Sequence, residues 1–320
     1  MKKWILSAGI ALSMACNHQE NEGVPVIGFA DAFQDNTIGQ AKTGFMDALR
    51  KNGFDEKTGT LKIIYRNAQG NIPTLTQIIK YFISQNVTLI ATNPSLSTIT
   101  AVQNTKDIPI FMMVSPTPQL MKVNDSSGKP PRNLFGAAET LDYIDTSFLL
   151  IPKLVKPKSG RLTVGMIFNQ SEPQSVEAME RIQKLAASNN INLIYQPVNS
   201  TADVNLVTAS LLTKNIDVFF ANPDNIVFGS FETIIKSCNE KNIPVFTSEA
   251  GLVQRGALAA YGADIYQWGY QTGEQAALFL KTKSTDSLHW EMVITRKKVF
   301  NPAVAKKFGL TVPSDFQPVQ

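Results

Sequence analysis

From Val24 onward, short unbroken apolar runs alternate with stretches whose apolar residues recur every three or four positions, and few folds accommodate that rhythm. The run Val24–Ala30 ends in the polar Asp31. Ile38, Ala41, Phe45 and Leu49 then mark a helix face that Gly53 stops. Leu61–Tyr65, Val87–Ala91 and Ile108–Val114 are further runs, with a helix predicted from about Thr74 to Gln85. Runs without internal polar residues fit strands buried on both faces. Crossover helices join parallel neighbours and cover those faces.

The same scheme starts again after the loop Ser126–Pro131. Leu134–Ala138 reads as a crossing strand, followed by a helix from about Tyr143 to Val155. Leu162–Phe168 is a new first strand, and Ile191–Tyr195, Ile216–Phe220 and Ile243–Thr247 continue the second sheet. Ala257–Tyr261 and a helix from Asp264 to about Lys281 are left over, and their expected use is a return to the first unit. The predicted architecture is α/β: two open parallel-sheet Rossmann-like lobes joined by a multi-strand hinge. The expected division is 24–138 with 260–283, and 139–259 with 284–320. A chain of 320 residues is long enough for two such cores. In open α/β sheets ligands sit beyond the carboxyl ends of the strands, so two lobes present those ends to one shared cleft.

The N-terminus has the layout of an export signal over residues 1–15: Lys2 and Lys3, then an apolar stretch from Trp4 to Leu12, then small residues up to Cys16. Leu12-Ser13-Met14-Ala15-Cys16 resembles a bacterial lipobox, which implies lipidation of Cys16 and a polar spacer over 16–23. The alternative is an ordinary export signal with an incidental cysteine. The other cysteine, Cys238, lies on a helical pattern with Ile234 and Ile235 and is expected to be a small buried hydrophobe.

Charge and composition narrow the function further. The formal charge of +4 falls to +2 without Lys2 and Lys3, too little for a nucleic-acid surface. Arg296-Lys297-Lys298 is the one basic run, expected to be a solvated strand end. There is no G-x-G-x-x-G after a strand and no phosphate-binding G-x-x-x-x-G-K, so no cofactor is expected. His18 lies in the spacer and His289 in a linker, which leaves no histidine positioned for nucleophilic catalysis. No metal site is expected. Hydroxyls, amides and a few carboxylates at strand ends suit reversible binding of a small polar or zwitterionic molecule.

Three segments carry a closer resemblance. They are Val164–Ser175, Ala221-Asn222-Pro223-Asp224-Asn225, and Pro244–Gly262 continuing to Gly273. Together they resemble the ABC transporter substrate-binding protein family whose best-described members bind tryptophan, tyrosine or phenylalanine. The resemblance implies the type I periplasmic-binding fold, an amino-acid ligand, and a permease and an ATPase as partners. The lipobox implies an extracytoplasmic, lipid-anchored protein, and the lack of positioned catalytic groups one that is not an enzyme. Gln174 stands where the family usually has asparagine, and Asn222-Pro223 where a proline–threonine pair is usual. Competing readings are a ligand-sensing lipoprotein of a signalling system and a hydrolase or lyase on the same frame.

Within the expected cleft, Asp224 matches the family's aspartate and is the candidate partner of a ligand ammonium; a helix N-cap is its structural alternative. Asn225 follows it, and Glu249 is the second acidic candidate. Asn169, Ser171 and Ser175 in the second lobe, and Thr92, Asn93 and Ser95 in the first, are candidates for a ligand carboxylate at helix N-termini. Ser115 and Ser248 join them. Phe33 and Phe228 are candidate aromatic walls, whereas Trp268 fits a helix face and is read as core.

Overall fold

The computed structural model describes residues 23–319, so the predicted export signal, Cys16 and nearly all of the spacer lie outside the described residues. The first lobe begins with β1 (Val26–Asp31), α1 (Gly39–Lys51), β2 (Lys62–Asn67), α2 (Ile72–Ser84), β3 (Leu89–Asn93), α3 (Ser95–Asn104), β4 (Ile110–Pro116) and β5 (Leu134–Glu139). The second lobe follows with α4 (Tyr143–Phe148), α5 (Ile151–Leu154), β6 (Thr163–Asn169), α6 (Pro173–Ser188), β7 (Asn192–Val198), α7 (Val204–Leu212), β8 (Val218–Ala221), α8 (Asn225–Gly229), α9 (Phe231–Glu240), β9 (Val245–Thr247) and α10 (Ala250–Gln254). The chain then forms β10 (Ala259–Ala263), α11 (Ile265–Thr282), β11 (Trp290–Met292) and β12 (Arg296–Phe300).

The first sheet has the order β11-β5-β4-β3-β1-β2 and the second β7-β6-β8-β9, all pairs parallel. Alternate residues of each strand feed opposite layers, as the period of two requires. Phe29 packs with Phe45, Phe111 and Ile265 on one side of the first sheet, while Ala30 packs with Ile79, Phe82 and Ile90 on the other. Phe220 joins Phe148, Met166 and Phe246; its neighbour Phe219 joins Leu211, Phe231 and Cys238. Cys238 is fully buried, and burial pushes its thiol up to about 12, so it behaves as the apolar filler expected. Local signals set the helix starts: Asn71 accepts the amide of Thr74 to cap α2, with Pro73 in the first turn.

Four expectations are corrected. The helix foreseen over Tyr143–Val155 is two, α4 and α5, with Pro152 in the first turn of the second. Leu134–Ala138 is a full member of the first sheet rather than a crossing strand. Ala257–Tyr261 does not return to the first lobe: β10 pairs antiparallel with β12, and Leu258 and Ala259 lie in the second-lobe core. The segment 284–320, assigned to the second lobe, is divided, because β11 pairs with β5 at the edge of the first sheet.

Three crossings therefore connect the lobes, from β5 to α4, from β10 to α11 and from β11 to β12. Ion pairs brace them. Arg296 forks onto Glu139 at 2.6 and 3.1 Å, and Lys297 meets Asp264 at 2.7 Å. With Lys298 on Asp315 at 2.6 Å, the basic run is the solvated strand end expected from sequence, at the start of β12, and it carries a ladder of ion pairs. The lobes also touch away from the hinge. Arg255 reaches across to Asp35 at 2.7 Å and Thr37 at 3.0 Å, and Gln174 donates to Ser95 Oγ at 3.0 Å. The two halves are closed onto one another.

Candidate functional site between the lobes

The cavity between the facing strand ends measures about 50 Å³, within a wider interlobe space of about 470 Å³ that is partly open solvent. Its first-lobe wall consists of Ser95 at the start of α3, Val114 and Pro116 on β4, Glu139 at the end of β5, and Trp268 on α11. The second-lobe wall consists of Gln174 on α6, Pro223, Asp224, Asn225 and Phe228 around α8, and Glu249 just before α10; Leu141 and Tyr143 line the crossing. Most of these residues come at or just after the carboxyl end of a parallel strand, as open α/β topology dictates.

Val114 reaches the cleft through a bulge. The β4–β5 register shifts between Met112 and Ser115, and Val114 takes φ 51°, a left-handed conformation that costs a β-branched residue strain. Opposite it, Gly136 has φ 102°, and a Cβ there would stand 2.3 Å from Met112 O. Helix α11 receives the backbone groups that the bulge frees. Gly136 N donates to Gln275 Oε1 at 2.8 Å, Ala137 N to Thr272 Oγ1 at 3.0 Å, and the Trp268 indole N–H to Ala137 O at 2.7 Å. Trp268 is thus both the core residue expected and part of the cleft wall.

Asp224 is the N-cap of α8. Its Oδ1 accepts from Ile226 N at 2.8 Å and Val227 N at 3.1 Å, while its Oδ2 accepts from Asn169 N and the Ser175 hydroxyl. Beside it Glu172, which the sequence reading did not single out, accepts from the side-chain amides of Asn169, Gln174 and Asn225 at 2.8–2.9 Å. Burial, reinforced by the Asp224 charge, raises the Glu172 carboxyl to about 8. Glu249 accepts from Tyr143 Oη at 2.7 Å through Oε1, and no donor meets its Oε2 within hydrogen-bond distance. Burial and the nearby Glu139 push Glu249 up to about 7, although the Tyr143 hydrogen bond opposes the rise. Glu139, raised by burial, is the only one of these four carboxyls in an ion pair.

The structure brings Ser95, Asp224, Asn225, Phe228 and Glu249 together on the cleft. The other candidates stand behind it. Thr92 and Ser115 share hydrogen bonds with Thr98, and Asn93 donates to Asp31 at 2.7 Å and to Ile38 O. Asn169 and Ser175 hold Asp224, Ser248 is buried beside Tyr143 and Glu249, and Ser171 is exposed. Phe33 packs between cores of the two lobes without lining the cleft. Glu139, Tyr143, Gln174, Val114, Pro116, Leu141 and Pro223 were not foreseen. Gln174 carried a signal, because it departs from the asparagine usual in the resembling family. Exposed His289 lies in the linker before β11, away from these residues.

Comparison with known proteins bears on this geometry. The family described as "ABC transporter substrate binding protein" matches residues 27–317, nearly the whole described chain. This chain belongs to that family. A curated relative from Clostridioides difficile (strain R20291), named tyrosine-binding protein, is 33% identical over 262 residues, 82% of this chain and 74% of the relative. Among solved structures, a conserved domain protein from Vibrio cholerae aligns with TM-score 0.82 at 26% identity, covering 93% of this chain and 100% of its own. The Streptococcus ABC domain in complex with L-Trp also gives TM-score 0.82, at 21% identity, covering 92% of this chain and 99% of its own. The ligand-free, open structure of a Clostridium difficile substrate-binding protein with adhesive properties gives only 0.67, at 29% identity and 93% and 99% coverage.

Proposed function

We propose that this substrate-binding protein serves an ABC importer outside the cytoplasm and holds a small zwitterion, an aromatic amino acid foremost, in the cleft between its lobes. One observation carries the reading. Glu139, Asp224 and Glu249 line the space, no basic residue does, and Trp268, Phe228, Leu141 and Val114 supply an apolar wall. A cationic group is favoured by the acids and a flat ring by the apolar side chains. The names of the tyrosine-binding relative and of the L-Trp complex support this choice. The carboxylate of such a ligand finds donors at the start of α3, where Ser95 is the first residue of a ten-residue helix.

Lipidation at Cys16 with the spacer 17–23 would hold the protein beside a permease and its ATPase. Among the described residues no helix is long and apolar enough to cross a membrane. Ligand binding shifts the lobes toward the closed arrangement, and the permease reads that arrangement. A thermal-shift screen tests the ligand class. L-Tyrosine, L-tryptophan or L-phenylalanine at about 100 times its dissociation constant should stabilise the protein by about 2.7 kcal/mol. Stabilisation by sugars or purines with none by these amino acids would refute it.

A further inference from the structure

Four buried carboxyls surround the cleft, and their hydrogen bonds separate them. A carboxylate offers about four lone-pair positions. Asp224 has all four filled by protein donors, two backbone amides on Oδ1 and an amide and a hydroxyl on Oδ2. Both oxygens of Glu172 are held by amide side chains, and both oxygens of Glu139 by the Arg296 fork. Among these four only Glu249 has an oxygen that no donor meets within hydrogen-bond distance, although the neighbouring Ser248 hydroxyl also favours its carboxylate. Its side chain is nearly fully buried, and the residue lines the cleft. Gln174, also on the cleft, has an unpartnered Oε1, while its amide nitrogen donates to Ser95 and Glu172. A buried acceptor without a partner is costly unless something arrives to fill it.

We infer that Glu249 Oε2, with Gln174 Oε1 as second acceptor, receives the ammonium of the ligand, and that Asp224 is a positioning residue that ties α6, α8 and the end of β6 together. The inference rests on the zwitterion reading above and reassigns the role that the sequence resemblance implies for Asp224. Tyr143 Oη, donating to the other oxygen of Glu249, fixes the orientation of the carboxyl. An ammonium bound there needs the ionised form, so binding below about pH 7 carries the release of a proton from Glu249. The charged and titratable groups around it are Tyr143 on α4, Glu139 on β5 and Arg296 on β12, which neutralises Glu139. Asp264 and Lys297 at the β10–β12 junction pair with each other.

The experiment titrates wild type, Glu249→Gln and Asp224→Asn with L-tyrosine and with its des-amino analogue 3-(4-hydroxyphenyl)propionate, by calorimetry between pH 6 and pH 8.5. Wild type should lose about 100-fold in affinity when the ammonium is removed from the ligand, the scale of one or two charge-assisted hydrogen bonds. Glu249→Gln should bind L-tyrosine about 100-fold more weakly than wild type does, yet distinguish the two ligands by less than about threefold. Wild-type affinity for L-tyrosine should fall about tenfold per pH unit below about 7, and that slope should vanish in Glu249→Gln. A Glu249→Gln protein that binds L-tyrosine as wild type does, or keeps the full penalty for the missing ammonium while Asp224→Asn loses it, overturns the assignment and leaves the zwitterion reading standing. Absence of L-tyrosine binding by wild type, with L-tryptophan and L-phenylalanine equally inert, overturns both.

Discussion

Replacing Asp224 by alanine is expected to destabilise the ligand-free protein by roughly 3–5 kcal/mol, the sum of a lost helix cap and two orphaned buried donors less the relief of one repulsion. The change removes the cap of α8, worth about 1 kcal/mol by itself. It also leaves the amide of Asn169 and the hydroxyl of Ser175 without their acceptor at a buried site, and each such orphan costs about 1–3 kcal/mol. Relief of the repulsion with Glu172 offsets part of this, which is why the full sum of the separate costs is not expected. In a chain of this size the melting temperature should fall by roughly 10 °C, followed by far-ultraviolet circular dichroism. Melting within about 2 °C of wild type would show that the four bonds do not hold the loops together. The ligand-free protein must be the sample, since lost binding alone does not separate a ligand contact from a collapsed loop.

The second large effect is expected at Gly262 on β10, through backbone crowding. A Cβ built there would stand 1.5 Å from the carbonyl oxygen of Ser248 and 2.7 Å from its carbonyl carbon. Both are backbone atoms, so neither a rotamer change nor a small side-chain shift relieves the overlap; β10 and the turn bearing Ser248 and Glu249 must separate. Gly262→Ala should therefore cost at least about 2–3 kcal/mol, the upper part of the usual range for overpacking. It should also displace Glu249 from Tyr143 and weaken ligand binding. At an unstrained, uncrowded position the same substitution stabilises by about 0.4–1 kcal/mol, so even the sign of the change in chemical-denaturation midpoint is decisive. A stabilised Gly262→Ala protein would mean that the two segments do not approach as described.

The fold was legible because unbroken apolar runs such as Ile108–Val114 and Leu162–Phe168 leave parallel, doubly covered strands as their only economical use. The topology then carried Ser95, Asp224, Asn225 and Glu249 to the cleft, since each follows a strand directly. Legibility failed where position depends on tertiary detail. β11 has three residues, Trp290–Met292, too few to show a period, and its place beside β5 is a matter of long-range pairing. Ala259–Ala263 is small and apolar enough to serve either lobe. Val114 sits within a strand pattern, and only the bulge opposite Gly136 brings it to the cleft. Glu139 looks like the polar end of a strand until Arg296, 157 positions later, forks onto it. Asp224 could be read as ligand partner or helix cap with equal right, and counting its four donors requires coordinates.

Direct calorimetric titration of the intact protein with L-tyrosine, L-tryptophan and L-phenylalanine, with mass spectrometry of the ligand recovered afterwards, tests most directly whether the cleft is a receptor for an amino acid. The account predicts saturable binding of one ligand per chain and recovery of that ligand with its mass unchanged. No heat of binding from any of the three, or recovery of a cleaved or rearranged product, would contradict it.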